Sequence, residues 1–153
     1  MNKKTWVAIC VACAVPAEGL RTLAYKDPVG IPTYCIGETF NKAAGRPVRP
    51  GDRATKEECE EMFLARLERD FGPGVDSCIT RALPPYPKAA YTSLAYNIGT
   101  GAFCRSSIAR KDNAGDYLGA CDAILLYNKA GGIVWPGLNK RRKEERELCL
   151  TGS

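Results

Sequence analysis

A chain of 153 residues, 45% hydrophobic and 25% charged, reads as one globular domain that buries roughly two-thirds of its unfolded surface. The formal net charge of +5 suits an anionic polymer or an acidic membrane as partner, and equally plain solubility. Eight cysteines point to an oxidising compartment. With no histidine, a structural zinc would need four thiolates, and only Cys10 and Cys13 have CxxC spacing, so no metal is expected.

The first element is a short positive end, MNKK, followed by a mostly apolar run over residues 5–17, TWVAICVACAVPA. As a helix this run spans about 20 Å, short of the roughly 30 Å hydrocarbon core of a bilayer. Charge, a short apolar run and then Val15-Pro16-Ala17 is also the pattern of a secretory signal. Residues 24–50 are rich in Gly, Pro, Thr and Tyr, with a turn at Asp27-Pro28-Val29-Gly30, and predict a small irregular β-hairpin lobe. Residues 46–53 (RPVRPGDR) read as a loop.

Thr55 followed by Glu58 is a capping-box signature. It opens a helix with Cys59, Met62, Phe63, Leu67 and Phe71 at helical spacing, ended by Gly72-Pro73-Gly74. Further helices are predicted over residues 87–98, with Gly99 as the stop, and over 116–127 and 140–148. Lys140, Arg141, Arg142 and Lys143 are followed at once by Glu144, Glu145 and Glu147. Such mixed signs read as a solvated helix face rather than a nucleic-acid stripe, so no nucleic-acid partner is expected. The fold class is α+β: a mainly helical domain with a small β-hairpin lobe and a cleft between the lobes.

The chemistry concentrates in residues 18–39, EGLRTLAYKDPVGIPTYCIGET, where Glu18, Asp27 and Thr33 follow the pattern E-x8-D-x5-T. Two carboxylates and a hydroxyl around a turn match the needs of glycoside hydrolysis, in which one acid protonates the leaving sugar oxygen and the other group works on the opposite face of the ring. Each residue also has a plainer reading. Glu18 could be a surface residue at a helix end, Asp27 a turn cap before Pro28, and Thr33 a strand threonine.

The same run resembles the catalytic segment of phage-type lysozymes (glycoside hydrolase family 24): Glu18, Gly19, Arg21, Tyr25, Asp27, Gly30, Thr33, Gly37 and Thr39 fall on that family's pattern. AYNIGTGAF (95–103) and GLNKRRKEERELCL (137–150) are similar to two further family segments. One departure stands out: the family usually has His where this chain has Glu38. The resemblance implies a lysozyme-like domain over 18–153 that cleaves peptidoglycan by inversion. Water is then the nucleophile and no cofactor is needed; Glu18 is the general acid, and Asp27 with Thr33 holds the water.

The resemblance also places Asn97 in the segment lining the saccharide cleft, where its amide could meet the sugar or cap the helix before Gly99. Trp135 could stack on a sugar ring or pack in the core. Arg21 and Tyr25 would support the site. Glu38 would stand near the saccharide, pairing with Arg21 or, as a third carboxylate, raising the pKa of Glu18. A catalytically inactive, peptidoglycan-binding protein is the alternative that Glu38 favours.

In resembling enzymes this glutamate ends an N-terminal helix, and some carry a signal-arrest-release anchor. Segment 1–17 is therefore read as an exported but retained anchor that tethers the enzyme to the inner membrane, facing the periplasm, and is later released. A cleaved signal would leave Glu18 at a fraying chain end, and a core helix in a cytosolic protein is the third reading. A monomer is expected. Eight cysteines permit about 105 pairings, among which Cys121 with Cys149, Cys78 with Cys104 and Cys35 with Cys59 are the preferred guesses. That leaves Cys10 and Cys13, which could pair differently before and after release.

Overall fold

The computed structural model describes residues 6–10 and 20–151. Glu18, Gly19, Lys3, Lys4, Cys13 and most of the expected anchor lie outside the described residues.

Residues 6–10 are helical. The small lobe follows, built on the hairpin of β1 (Arg21–Lys26) and β2 (Pro32–Cys35). These strands pair antiparallel with Tyr25 opposite Thr33, and an irregularity between Arg21 and Tyr25 bends β1. A second hairpin joins β3 (Phe40–Asn41) to β4 (Arg46–Pro47). The stretch expected as a loop over 46–53 thus begins as a short strand. The remainder wraps round one carboxylate: Asp52 accepts from Arg46 Nη1 at 2.8 Å and Nη2 at 3.0 Å, Arg49 N at 2.8 Å and Asn41 Nδ2 at 3.1 Å.

Helix α1 (Lys56–Arg66) starts with the capping box read from sequence, in which Thr55 Oγ1 accepts from Glu58 N and Glu58 Oε1 accepts from Thr55 N. It does not stop at Gly72-Pro73-Gly74. A π turn over Leu67–Phe71 leads into α2 (Gly72–Asp76). Pro73 follows the junction between the π turn and α2. Gly72 serves packing instead, since a Cβ there would lie 2.6 Å from Trp6 Cη2.

α3 (Pro85–Ile98) is the central helix, buried continuously from Pro87 to Ala95, and ends at Gly99 with φ of 92°. Two short helices, α4 (Thr100–Cys104) and α5 (Ser107–Asn113), lie beyond the sequence expectations because each has too few turns to show periodicity. The expected 116–127 helix divides into α6 (Tyr117–Ala123), capped by Asp116 on Gly119 N, and a 3-10 turn at Ile124–Leu126. A small hairpin of β5 (Lys129–Ala130) and β6 (Ile133–Val134) precedes α7 (Pro136–Thr151), longer at both ends than the expected 140–148.

Tyr91, Leu94, Phe103, Ile108 and Ile124 pack the main core round α3. A second cluster joins the N-terminal segment to the domain, with Trp6, Ile9 and Cys10 against Ile36, Phe63, Leu67 and Ala89. The third lies under the β1–β2 hairpin and holds Tyr34, Val48 and Cys59. Disulfides join Cys35 to Cys59, Cys78 to Cys104 and Cys121 to Cys149. They tie the hairpin to α1, the end of α2 to α4, and α6 to α7; each closes a loop of a size for which stabilisation is about 3 kcal/mol. Among the described residues no helix is long and apolar enough to cross a membrane.

Candidate active site

The β1–β2 hairpin presents Asp27 and Thr33. Asp27 follows the last residue of β1 and holds its own turn: Oδ1 accepts from Val29 N at 2.9 Å and from Ile31 N at 2.8 Å. The backbone closes the same loop, with Asp27 N donating to Ile31 O and Gly30 N to Asp27 O. Gly30 takes φ of 86°, in the left-handed region that glycine enters without strain. The turn-capping role is therefore real, and it uses one carboxylate oxygen. Oδ2 forms no hydrogen bond among the described residues, and Asp27 is only half-buried. Thr33 is buried at 3% exposure. Its Oγ1 donates to Ile31 O at 2.9 Å, which spends its proton and leaves its lone pairs to accept.

Arg21 lies with its guanidinium carbon 4.7 Å from the centre of the Tyr25 ring, and does not pair with Glu38. Glu38 belongs instead to Arg66, whose Nη1 lies 3.3 Å from its Oε1. The pair does not silence the carboxylate: burial raises the pKa of Tyr96 and Tyr34, and the Glu38 charge still acts in the same direction on both.

A second group of the candidate residues lies on α3 and near α7. Asn97 is exposed near the end of α3 and does not cap that helix; its Oδ1 accepts from Arg142 Nη1 at 3.0 Å. Arg142 is wholly buried, pairs with Glu145 (2% exposed) and reaches Tyr127 O at 3.4 Å. Arg141, 7% exposed, lies next to it. Burial pushes the Glu145 carboxyl up, while Arg142 and Arg141 pull it down. The basic-acidic run read as a solvated face is thus partly core. Sequence carried one signal for this, because Arg142 and Glu145 are spaced i,i+3, so both can point to one side of a helix.

Trp135 is not a core residue. It is 51% exposed, its Nε1 donates to Ala130 O at 3.1 Å, and it closes the β5–β6 hairpin. With Ala130, Leu138, Lys140, Arg141 and Glu144 it lines a pocket of about 510 Å³. The indole is thus exposed beside cationic and carboxylate side chains.

The phage lysozyme family model matches residues 16–145. The chain is 40% identical over 138 residues to the SAR-endolysin of Enterobacteria phage P21, an alignment that covers 88% of this chain and 78% of that protein. It is 38% identical over 138 residues to the SAR-endolysin of Bacteriophage PS119, covering 88% and 77%. Among solved structures, a point mutant of P22 lysozyme superposes with a TM-score of 0.85 at 33% identity, covering 94% of this chain and 96% of that one. The chain belongs to the phage lysozyme family and is a glycoside hydrolase of the lysozyme type.

Proposed function

We propose that this lysozyme is a muramidase that hydrolyses the β-1,4 bond between N-acetylmuramic acid and N-acetylglucosamine with inversion. The observation that carries this reading is the hairpin pair: a half-buried Asp27 with one uncommitted oxygen, beside a Thr33 hydroxyl left with lone pairs to accept. Asp27 takes a proton from water as its oxygen attacks the anomeric carbon. Thr33 Oγ1 accepts the water's second hydrogen and so sets its direction. Glu18 gives its proton to the leaving glycosidic oxygen, and the sugar-oxygen bond breaks. Inversion requires room for the water, with carboxyls about 6.5–9.5 Å apart. Asn97 and Trp135 hold the saccharide.

The enzyme acts as a monomer on peptidoglycan. Segment 1–17 tethers it to the periplasmic face of the host inner membrane until release. Packing of Trp6, Ile9 and Cys10 against Phe63, Leu67 and Ala89 supports a segment that is kept rather than cleaved. Cys10 and Cys13 are candidates for timing the release, and unchanged lysis and activity after both are replaced by Ser would reject that role.

The test is to incubate the protein and its Glu18→Gln variant with peptidoglycan and identify the fragments by mass spectrometry. Products ending in reducing N-acetylmuramic acid, absent with the variant, are expected. Release of other ends, or equal release by both proteins, would sink the proposal.

A further inference from the structure

The turn after Thr33 is held in an unusual way. Residues 34–38 close on themselves through Tyr34 N to Glu38 O at 2.9 Å and Glu38 N to Tyr34 O at 3.0 Å. Within these five residues Cys35 has φ of 57° and Gly37 has φ of 71°. A left-handed cysteine persists only where its surroundings hold it there. Three groups do so. The Cys35–Cys59 disulfide fixes one side to α1. Arg66 Nη1 reaches both Ile36 O at 3.4 Å and Glu38 Oε1 at 3.3 Å, which fixes the other side. The Arg66 guanidinium carbon lies 5.5 Å from the centre of the Tyr96 ring, and the Tyr96 hydroxyl closes over Gly37, 3.6 Å from where a Cβ would stand.

Arg66 is the last residue of α1, at the point where the helix passes into the π turn. Tyr96 is wedged edge-on between Phe63, at 5.0 Å, and Phe71, at 5.2 Å. The next residue is Asn97, bound to Arg142. An unbroken set of contacts therefore runs from the turn behind Thr33, through Glu38, Arg66 and Tyr96, to the part of α3 that carries Asn97.

We infer that the Glu38–Arg66 pair, stacked on Tyr96, positions the hairpin that carries Asp27 and Thr33, and that Glu38 is a positioning residue rather than one that meets the saccharide. The inference rests on the assignment of the attacking water to Asp27 and Thr33. A hairpin released from this clamp would still bind glycan but would hold the water less well, so the loss falls on kcat and not on KM.

The test compares Glu38→Ala, Arg66→Ala and the double variant with the parent on soluble glycan strands, with Thr33→Val as the parallel control and activity referred to folded protein by circular dichroism. About a tenfold fall in kcat is expected for Glu38→Ala, with KM within about twofold. The double variant should lose no more than Arg66→Ala alone, because the two side chains act as one unit. Glu38→Gln keeps the shape and should fall between parent and Ala. Parent-like kcat in folded Glu38→Ala beside an inactive Thr33→Val would overturn the clamp alone, and a loss confined to KM would return Glu38 to the saccharide. Full activity in Thr33→Val would remove the water assignment on which the clamp rests.

Discussion

Asp27 and Thr33 are joined through a single residue: Ile31 N donates to Asp27 Oδ1 at 2.8 Å, and Ile31 O accepts from Thr33 Oγ1 at 2.9 Å. A carboxylate and a hydroxyl six positions apart thus share one rigid reference, and neither can turn without breaking a bond to the same residue. The second carboxylate oxygen and the hydroxyl lone pairs stay available together.

Asp27→Asn keeps the oxygen that Val29 N and Ile31 N donate to, so the turn should survive and only the proton-accepting group is lost. We expect a kcat fall of about 10²–10⁴-fold, the range of a missing general base. The melting temperature should change little. Thr33→Ser should retain most activity, and Thr33→Val should lose it together with about 1 kcal/mol from the bond to Ile31 O. Steady-state kinetics and thermal melts on the same samples check both halves. An unfolded Asp27→Asn would mean that the turn depends on the charge.

Asp52 makes the small lobe acid-sensitive. The Arg46 fork, then Arg49 N and Asn41, hold its carboxyl far below its ordinary 3.8. A folded-state pKa depressed in this way contributes stability above the unfolded value and loses it as pH falls below about 3.8 towards the folded one. Glu58, depressed by the Thr55 backbone and hydroxyl, and Asp70, depressed by Arg69, act in the same direction. The melting temperature should therefore drop between about pH 5 and pH 2. Asp52→Asn should melt lower than the parent at neutral pH and show a smaller acid-induced drop. Parallel curves for the two proteins would show that Asp52 does not carry the effect.

Arg142 and Glu145 are a buried ion pair that also anchors Asn97. Removing one partner from a buried pair costs about 3–5 kcal/mol, because the other charge is left without compensation. Arg142→Met should cost near the low end, since Arg141 also acts on Glu145. Adding Glu145→Leu should recover much of the loss. Urea unfolding of the two single variants and the double gives the coupling directly. Additive losses would show that the pair is not a unit.

What was legible in the sequence, and what was not, follows from how far each signal reaches. The Thr55–Glu58 capping box and the Asp27 turn are short-range hydrogen-bond patterns, and they appear in the structure where the residues predict them. Continuation of α1 through Gly72-Pro73-Gly74 was not legible, because Gly72 reads locally as a helix stop whereas it stands against the Trp6 ring, far back in the chain. Burial of Arg142 showed in the sequence only as its i,i+3 spacing to Glu145, because its other partners, Asn97 and Tyr127, stand elsewhere in the chain. The role of Glu38 was obscured for the same reason: pairing with nearby Arg21 was open on sequence, and the structure supplies Arg66, 28 residues on.

Gly72 and Trp6 offer a direct probe of how firmly the N-terminal segment is seated. A methyl at position 72 would meet Trp6 Cη2 at 2.6 Å and Cζ2 at 2.8 Å, closer than packed carbons come. The indole is confined on another side by Lys88, whose ammonium lies 5.0 Å from the ring centre and is itself bonded to Gly72 O at 2.8 Å. Burial lowers the pKa of Lys88, opposed by Asp76, so the ring covers a cation already short of water. Gly72→Ala must displace the indole, at an overpacking cost of about 1–3 kcal/mol. Trp6→Ala alone should lose about 3–5 kcal/mol by emptying the slot. In the double variant the methyl meets no ring, so the combined loss should be less than the sum of the two. The measurement is chemical unfolding of all four proteins, with activity read in parallel. A strictly additive result would mean that Trp6 and Gly72 do not meet, and that the segment is seated elsewhere.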